Sequence, residues 1–498
     1  MTRTPAQGDG SSRLDASQLR ALPTRVDRPD YDLASVRIGI VHLGAGAFHR
    51  AHQAPCIDRL LASEPDWAIC AVSLRSTEVR EALRPQDGLY TLALQTEPPQ
   101  WRVIGAIREV LCAADEGAAV LARLAGPQVR IVTLTVTEKG YCLSGGELDL
   151  AHPDIQHDLA EAAQPRSVIG WLVAGLRLRR ERGLGAYTVA SCDNLANNGR
   201  LLEAACLRYA QELDPDLASW IKREASFPCS MVDSITPVTD AALRQRVDDV
   251  LGLHDAWPVQ REPFTQWVIE DRFCQGRPNL AAAGVIYSDD IAGFDRAKLR
   301  LLNGAHSTLA YLGSLLELDS VADAMAHPPL AQFVDRLMRQ DIQPSLRPPA
   351  GLDVGDYITA IQSRFRNPAI RHRLAQIAWD GTQKLPVRLL GTVADALTAG
   401  RPLQRLCLAV AGWMHFVRRQ AQAGVALVDP MAAELKTLGQ SCDGAPQTDV
   451  SRFLSLSGVY GALAGEPRFV SALQQAYGAL GDGSGADVAP ALLAEAEG

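Results

Sequence analysis

A lysine, an asparagine and a histidine lie close together in a largely apolar stretch near the middle of this 498-residue chain. They are Lys298, Asn303 and His306 in the segment KLRLLNGAHS. The apolar spacing predicts a buried helix, and burying an ammonium group without a partner is costly. A buried lysine is readily tuned into an acid or base catalyst. The alternative is a core helix whose lysine and histidine extend to the surface.

Further polar side chains follow predicted strands. Thr135–Gly140 (TVTEKG) follows one strand and Ser191–Asn194 (SCDN) follows another, while Asp233 stands alone within the apolar segment FPCSMVDSITP. In an open parallel sheet, the loops after the carboxyl ends of the strands form the ligand crevice. Asn and Asp in such loops also serve as helix caps and turn formers, so both interpretations stay open.

A glycine-rich turn, GAGAFH from Gly44 to His49, follows the first predicted strand. A strand, then G-x-G, then a helix is typical of dinucleotide binding, although His49 replaces the third glycine and a simple tight turn is the alternative. A ribose-binding acid is expected at the end of the second strand, where the sequence has Leu74 and Arg75 instead. Arg75 could contact a 2′-phosphate or be solvated. We favour NAD as cofactor, and NADP stays open.

The elements that must position these residues form two groups. Apolar strand patterns over 36–43, 67–73, 129–136 and 187–192 are separated by helical patterns, notably over 118–124 and 168–180. This alternation predicts an α/β fold with a parallel sheet covered on both faces. From about residue 292, helical periodicities dominate, over 298–316, 330–339, 357–365 and 403–422. The second part is therefore predicted to be all-α.

Composition excludes several classes of function. The net charge of −8 argues against nucleic-acid partners. Ten scattered cysteines without a C-x-x-C pair indicate free thiols in a reducing compartment. No secretory h-region or membrane span is visible, so we expect a cytoplasmic protein. Without a metal-ligand cluster, a Ser-His-Asp arrangement or a Walker loop, the lysine and amides suit hydride transfer to a carbonyl.

Taken together, these segments resemble the long-chain polyol dehydrogenase family, to which mannitol 2-dehydrogenase belongs. Within it the chain is most similar to the branch that reduces fructuronate. The family motifs are Gly44–His52, Thr135–Gly140, Ser191–Asn194, Phe227–Pro237 and Lys298–His306, and the branch motifs are Thr133–Cys142, Ile169–Arg182, Glu262–Glu270, Asp380–Arg388 and Ala411–Met414.

The resemblance implies a Rossmann-type domain over 36–291 and a helical substrate domain over 292–480, with the site between them. The composition, polar at one end and glycine-rich at the other, predicts a partly mobile arm over residues 1–35 and a flexible tail over 481–498. Lys298 would be the general acid/base, with Asn194 and Asn303 holding the reacting oxygen. His306, Asp233, Lys384 and Arg373 would bind substrate, and no metal would take part. The cofactor would contact Gly44, Ala45, Gly46, Ala47, Phe48, Arg75, Glu138 and Val232.

Helix geometry bears on these roles. In a straight α-helix, Asn303 would lie about 140° round the axis from Lys298, and His306 about 60° back from Asn303. The three side chains would then share one broad face, and the long lysine could reach the same oxygen as Asn303. Near the positive nicotinamide, we expect burial to lower the pKa of Lys298.

The substrate is expected to be a small sugar acid or ketose, and the chain a monomer or weak homo-oligomer without membrane partners. Fructuronate carries a carboxylate remote from its ketone, which calls for a cation. We expect Lys384 to supply it, with Arg371, Arg373 or Arg388 nearby in sequence. Two alternatives are a dehydrogenase of neutral polyols such as mannitol or arabinitol, and a non-catalytic protein that binds a sugar or dinucleotide.

Overall fold

A computed structural model describes residues 12–370 and 372–497. The first part of the expected N-terminal arm, residues 1–11, and Arg371 lie outside the described residues. The chain divides into two compact units between Ala292 and Gly293. Each unit is described by itself.

In the described part of the first unit, fourteen strands form four sheets. The strands are β1 Val26–Asp27, β2 Ile38–Leu43, β3 Ala68–Ser73, β4 Tyr90–Leu94, β5 Gln100–Ile104, β6 Ile107–Cys112, β7 Ile131–Leu134, β8 Leu143–Ser144, β9 Glu147–Leu148, β10 Thr188–Ser191, β11 Ser230–Asp233, β12 Val259–Arg261, β13 Gln266–Ile269 and β14 Ile286–Tyr287. The helices are α1 Ala47–Ala51, α2 Gln53–Asp58, α3 Glu78–Leu83, α4 Ala113–Leu124, α5 Pro153–Ala160, α6 Val168–Glu181, α7 Asn198–Leu213, α8 Pro215–Glu224 and α9 Ala241–Leu251.

The central sheet has five strands in the order β10-β7-β2-β3-β6, all parallel. The first of these strands in the chain, β2, stands in the middle, and the later strands extend outward on both sides. This is the doubly wound order, in which ligands bind outside the carboxyl ends of the strands beside the middle strand. The α/β prediction and its parallel sheet are confirmed.

Alternating side chains of the central strands pack on opposite faces of the sheet. Val41 and Val132 join a core cluster with Leu172 of α6, whereas Ile40 joins a second cluster with Ile57 of α2. A strand that is buried on both faces is apolar at nearly every position, which explains the continuous apolar segments in the sequence.

Smaller sheets surround this core, in the orders β1-β5-β4-β12, β11-β13-β14 and β8-β9. Residues 12–35, which the sequence predicts as part of a partly mobile arm, pack on the first of them. Leu14, Leu22 and Val26 are buried in one cluster, and β1 pairs with β5. These isolated apolar residues carry no periodic signal, because the surface that buries them comes from distant parts of the chain.

The second unit is helical, as predicted. Its α-helices are α10 Ile291–Ala297, α11 Gly304–Leu315, α12 Val321–Ala326, α13 Pro328–Arg336, α14 Val354–Phe365, α15 Leu374–Ile377, α16 Gly381–Leu385, α17 Gly391–Thr398, α18 Gln404–Gln422, α19 Ala432–Ser441, α20 Pro446–Leu454, α21 Ser457–Tyr460, α22 Pro467–Ala479 and α23 Gly485–Glu497. In the described residues of this unit, three π-helical segments interrupt them, at Lys298–Asn303, Leu337–Ile342 and Pro386–Leu390.

The carboxyl end differs from the expected flexible tail. Helix α23 spans most of it and packs against α13, with Val488 and Leu492 fully buried. The glycine-rich sequence from Gly481 to Gly485 suggests a linker, but the segment forms a turn with local hydrogen bonds. The Asp482 N–H donates to Asp487 Oδ2, and the Ser484 N–H donates to Asp482 Oδ1. The apolar face of α23 gains stability from its packing against α13, which the local composition does not reveal.

Candidate active site

The glycine-rich turn depends on one residue that no other amino acid can replace without strain. Gly44 adopts φ +93°, and its N–H donates to the Val72 carbonyl at 2.8 Å. A Cβ at this position would lie 2.2 Å from the Thr135 carbonyl oxygen. The turn therefore requires glycine both for its backbone conformation and for the close approach of the neighbouring strand end.

Two buried histidines pack next to this turn. His42 of β2 stacks on His49 of α1 with ring centroids 3.4 Å apart. The ring nitrogens of His42 lie 2.8 Å from Thr133 Oγ1 and 3.0 Å from Thr135 Oγ1. Burial lowers the pKa of His42 to about 3, and burial together with neighbouring cations holds the pKa of His49 well below its usual value. Both rings are thus neutral. His49, which stands where the usual motif has its third glycine, packs its ring on His42 of β2.

We expect the folded state to lose stability as the pH falls below about 6.5. Unfolded histidines titrate near this pH, whereas burial lowers the pKa of His42 and His49, and that of His415 to about 4. Between these pH values the unfolded chain binds more protons, so acid favours unfolding. Thermal unfolding measured from pH 8 to pH 4 should show a falling Tm.

His49→Phe is the matched variant for this pH effect. Neither nitrogen of His49 makes a hydrogen bond within the described part of the chain, so a phenyl ring preserves the stacking and removes the titration. Its Tm should decline less steeply with falling pH than that of the wild type. An identical pH slope in the two proteins would contradict the assignment.

A cavity of about 440 Å³ opens beside the turn. Gly44, Leu74 and Arg75 form one side of it, and the segment around Thr137 forms another. A second cavity of about 850 Å³ shares Leu74 and Arg75 and extends along α4. The charged side chains that line the first cavity are Arg75, Lys139, Arg166 and Asp154. An elongated, mainly cationic groove next to a glycine turn fits the pyrophosphate and adenosine of a dinucleotide.

An acid from another element lies beside Arg75, near the end of the second central strand. Asp154, in the first turn of α5, lies in the cavity wall and forms an ion pair with Arg75 at 3.1 Å. The Arg75 side chain is 84% exposed, so this pair is held weakly. Asp154 was not predicted to lie here because it is distant in the chain from β3.

Two buried polar side chains hold the strand-end loops together. Asp193 accepts hydrogen bonds from the backbone N–H groups of Val136 and Thr137 and from the Tyr141 hydroxyl, at 3.2, 2.8 and 2.9 Å. Asn198 donates to the carbonyls of Asp193 and Ser230. The loops after β7 and β10 and the strand β11 are therefore linked. Burial raises the pKa of Asp193 despite these donors.

The predicted site residues of the first unit lie on the linked elements. Asn194 is exposed in the loop directly after β10, and Asp233 is buried at the end of β11. Glu138 is exposed at the start of the short 3₁₀ turn Glu138–Tyr141. Val232 is buried in the same core cluster as Ala45, against which Ala47 and Phe48 pack. Gly46 precedes α1 and donates to the Gly44 carbonyl at 2.6 Å.

In the second unit, Lys298 and Asn303 begin and end a π-helical segment, which corrects the expected straight α-helix. The Gly304 N–H donates to the Leu299 carbonyl, one residue further back than in an α-helix. Because π-helical turns join residues i and i+5, Lys298 and Asn303 are stacked one turn apart and not 140° round the axis. Short π-helical segments are frequent at functional sites.

Lys298 is buried, with 8% of its surface exposed. Asp295 stands three residues earlier on α10 and is half-buried. Burial raises the pKa of Asp295 to about 6, although the charge of Lys298 opposes this rise. A carboxyl group with a raised pKa thus stands one helical turn before the candidate catalytic lysine. Asp295 was not among the residues predicted from the sequence, although it stands three residues before Lys298, a spacing at which helical side chains are neighbours.

His306 faces aromatic and cationic neighbours. Its ring lies 4.4 Å from Phe365 and 5.2 Å from His372, measured between centroids. Burial, with the nearby charges of His372, Arg364 and Arg388, holds the pKa of His306 well below its usual value. His306 is therefore a neutral imidazole in a cationic environment.

The predicted basic residues differ in their surroundings. Lys384 is half-buried in α16, where its Nζ lies 3.3 Å from the Ile377 carbonyl and 4.0 Å from Asp380. Burial and the charge of Arg388 lower the pKa of Lys384. Arg373 is exposed and its backbone forms a bridge with Ser320. Arg388 approaches α11, where its Nη1 lies 3.0 Å from Ser307 Oγ.

Among residues 12–370 and 372–497, no group of three or more His, Cys, Asp or Glu side chains is arranged to hold a metal ion. Within the same residues, none of the helices has both the length and the apolar character that a membrane crossing requires.

A dinucleotide fold with a buried lysine in a following helical unit defines a class of oxidoreductases, and comparison with known proteins identifies the family. Residues 38–282 match the model of the mannitol dehydrogenase Rossmann domain, and residues 290–481 match that of the mannitol dehydrogenase C-terminal domain. The chain belongs to the mannitol dehydrogenase family and is an oxidoreductase. The family resemblance and the enzyme prediction are confirmed.

Several relatives span nearly the whole chain. D-mannonate oxidoreductase of Escherichia coli K12 is 44% identical and covers 91% of this chain and 95% of its own. Mannitol 2-dehydrogenase of Aspergillus clavatus is 38% identical over 89% of this chain and 90% of its own. The structure of Pseudomonas fluorescens mannitol 2-dehydrogenase in a ternary complex with NAD and D-mannitol is 39% identical, covers 97% and 99% of the two chains, and superposes with a TM-score of 0.79.

Proposed function

We propose that this protein catalyses the reversible, NAD-dependent reduction of the keto group of D-fructuronate to D-mannonate. The observation that carries the proposal is Lys298, a buried ammonium at the start of a π-helical turn that ends at Asn303. The 44% identity to a D-mannonate oxidoreductase supports the sugar-acid substrate. The likeness to a mannitol 2-dehydrogenase bound to NAD supports the cofactor.

In the proposed reaction, Lys298 donates the proton and two amides stabilise the oxygen. As the carbonyl carbon becomes tetrahedral, its oxygen gains negative charge and takes the proton from Lys298 Nζ, which leaves a neutral amine. Asn303 and Asn194 donate hydrogen bonds to this oxygen, and loss of one such donor typically costs about 10²- to 10³-fold in rate. Bound NADH supplies the hydride that forms the new C–H bond. Solvent returns a proton to the amine, and oxidation is the reverse.

His306 and Asp233 are proposed to bind hydroxyl groups of the sugar, since neutral imidazole and carboxylate both form hydrogen bonds with them. The cofactor is proposed to lie along the groove beside Gly44 and Arg75, with further contacts from the segments around Glu138 and Val232. The cationic lining and the close-packed glycine turn support this placement.

The direct test is a substrate panel followed by NADH absorbance. Fructuronate and fructose would each be offered with NADH and with NADPH, and mannonate and mannitol with the oxidised cofactors. We expect the highest kcat/KM for fructuronate with NADH. Equal or better reduction of fructose would instead favour the second candidate, a dehydrogenase of neutral polyols, which the 39% identical mannitol 2-dehydrogenase supports.

Asp154 is expected to bias the enzyme against NADP. Its carboxylate repels a 2′-phosphate and engages Arg75, so Asp154→Asn should strengthen NADPH binding relative to NADH binding by up to about fivefold, the size of an exposed ion pair. Fluorescence titration of both reduced cofactors measures the ratio of Kd values. Glu161→Gln, which removes an exposed acid next to the far end of α5, should leave this ratio unchanged. An unchanged ratio in Asp154→Asn would contradict the assignment.

We also propose a reducing, cytoplasmic location. All ten cysteines are free thiols, and nine of them are buried. Buried free thiols are typical of proteins that are not exposed to oxidising compartments.

A further inference from the structure

We propose that Arg388 is the residue that binds the carboxylate of an acidic substrate and so selects sugar acids over neutral ketoses. This inference rests on the proposed function and names its specificity-determining residue. From the sequence, Lys384 is the expected cation, and Arg371, Arg373 and Arg388 are further candidates nearby. The surroundings of Lys384, Arg373 and Arg388 in the structure favour Arg388.

The backbone places Arg388 beside the segment that carries the candidate catalytic residues. Arg388 lies in the π-helical segment Pro386–Leu390, which packs against the π-helical segment Lys298–Asn303. The approach is close, since a Cβ on Gly304 would lie 3.0 Å from the Arg388 carbonyl oxygen. Glycine at position 304 thus allows the two segments to meet.

The Arg388 side chain lies along one face of α11. Its Nη1 is 3.0 Å from Ser307 Oγ and 3.5 Å from the Asn303 carbonyl oxygen. Both partners are neutral oxygens. A guanidinium has five N–H donors in a planar fork that matches a carboxylate. These two contacts therefore leave donors for an anion next to Asn303.

Arg388 also lacks a carboxylate partner in the described residues, where no Asp or Glu lies within 4.0 Å of it. Two other partly buried arginines of this unit are each neutralised by a carboxylate, since Arg405 pairs with Asp341 at 2.6 Å and Arg300 with Asp395 at 2.5 Å. Burial lowers the pKa of Arg388, which indicates that its charge is poorly solvated. A substrate carboxylate would supply the missing negative charge.

The other cations are less suited to this role. Lys384 has Asp380 at 4.0 Å and feels the charge of Asp429, so its ammonium is already partly balanced. It is better placed to donate to hydroxyl groups, which acidic and neutral sugars share. Arg373 is exposed beside Ser320, and a solvated arginine discriminates weakly. Arg388 alone among the three combines partial burial with neutral partners.

The test compares Arg388→Gln with the wild type on fructuronate and fructose, which share the reacting ketone. For fructuronate we expect kcat/KM to fall about 100-fold, mostly through KM, as for loss of a charged hydrogen-bonding pair. For fructose the loss should be no more than a few-fold. Arg388→Lys keeps the positive charge but lacks the planar fork of donors, so its kcat/KM for fructuronate should lie between those of the wild type and Arg388→Gln. Arg347→Gln, an exposed arginine of the same unit, is the matched control and should change neither substrate.

A binding measurement separates this inference from the proposed function. Calorimetric titration of the protein–NADH complex with mannonate and with mannitol needs no turnover. We expect Arg388→Gln to lose mannonate binding selectively, with a Tm near that of the wild type. If the wild type binds mannonate through Arg388 but does not reduce fructuronate, the proposed function fails and the inference stands. If Arg388→Gln or Arg388→Lys weakens the binding of mannonate and the binding of mannitol equally, or changes the binding of neither ligand, the inference is overturned.

Discussion

Lys298→Ala is expected to lower kcat by at least about 10³-fold while leaving NADH binding within a few-fold of the wild type. Positioned proton transfer contributes about 10²- to 10⁴-fold to a rate, and the buried site of Lys298 offers water little access to replace it. Single-turnover absorbance would measure the rate of ketone reduction, and fluorescence titration would measure NADH affinity. The two measurements together distinguish loss of the proton donor, which lowers only the rate, from loss of the fold, which also lowers NADH affinity.

Lys298→Arg is the informative companion. Arginine retains the positive charge but does not release its proton at any working pH. If Lys298 acts as acid and base, this variant should be nearly as slow as Lys298→Ala. If the charge alone stabilised the developing oxyanion, Lys298→Arg would keep substantial activity. A Lys298→Ala enzyme with more than a tenth of the wild-type rate would refute both roles.

Gly44→Ala is expected to weaken NADH binding by 100-fold or more. The new methyl group would lie 2.2 Å from the Thr135 carbonyl oxygen, and a left-handed backbone costs an alanine about 1–2 kcal/mol. The turn must therefore shift away from β7, which displaces the wall of the cofactor groove. Fluorescence titration with NADH measures the effect, and circular dichroism checks that the first unit remains folded.

Gly145→Ala is the control for backbone strain. Gly145 also has a positive φ, +61°, but a Cβ there would meet no atom within 4 Å. This variant should lose some stability and keep its NADH affinity within about twofold, since Gly145 is not part of the groove lining and its strain acts through the unfolded fraction. Equal loss of affinity in both glycine variants would show that general destabilisation, and not the groove, is responsible.

Much of the fold was predictable because many of its strands and helices leave a local pattern of apolar residues in the sequence. The strands β2, β3, β7 and β10 appear as apolar segments, since strands buried on both faces need apolar residues at nearly every position. The long helix α18 appears as a helical periodicity over 403–422 and is found at Gln404–Gln422. Patterns of period two or 3.6 depend on neighbours in sequence, so a single sequence reveals them.

Other parts of the fold left no such pattern. The strand β1 and the buried Leu14 and Leu22 were expected in a partly mobile arm, and helix α23 in a flexible tail. In each case the surface that buries these residues comes from distant segments. Short elements of this kind are stabilised by tertiary packing more than by their own propensity.

For the candidate site, the amino-acid sequence by itself determined the family, the glycine turn and which polar residues deserve testing. Only the tertiary structure decided how they are arranged. The π-helical turn stacks Asn303 over Lys298, and Asp154 meets Arg75 from a distant helix. Arg388, which has no carboxylate partner among the described residues, directs its guanidinium toward the Asn303 carbonyl. The reason is physical: residue types and periodicities are local properties, whereas the partner of a charge and its exposure depend on which distant segments pack around it.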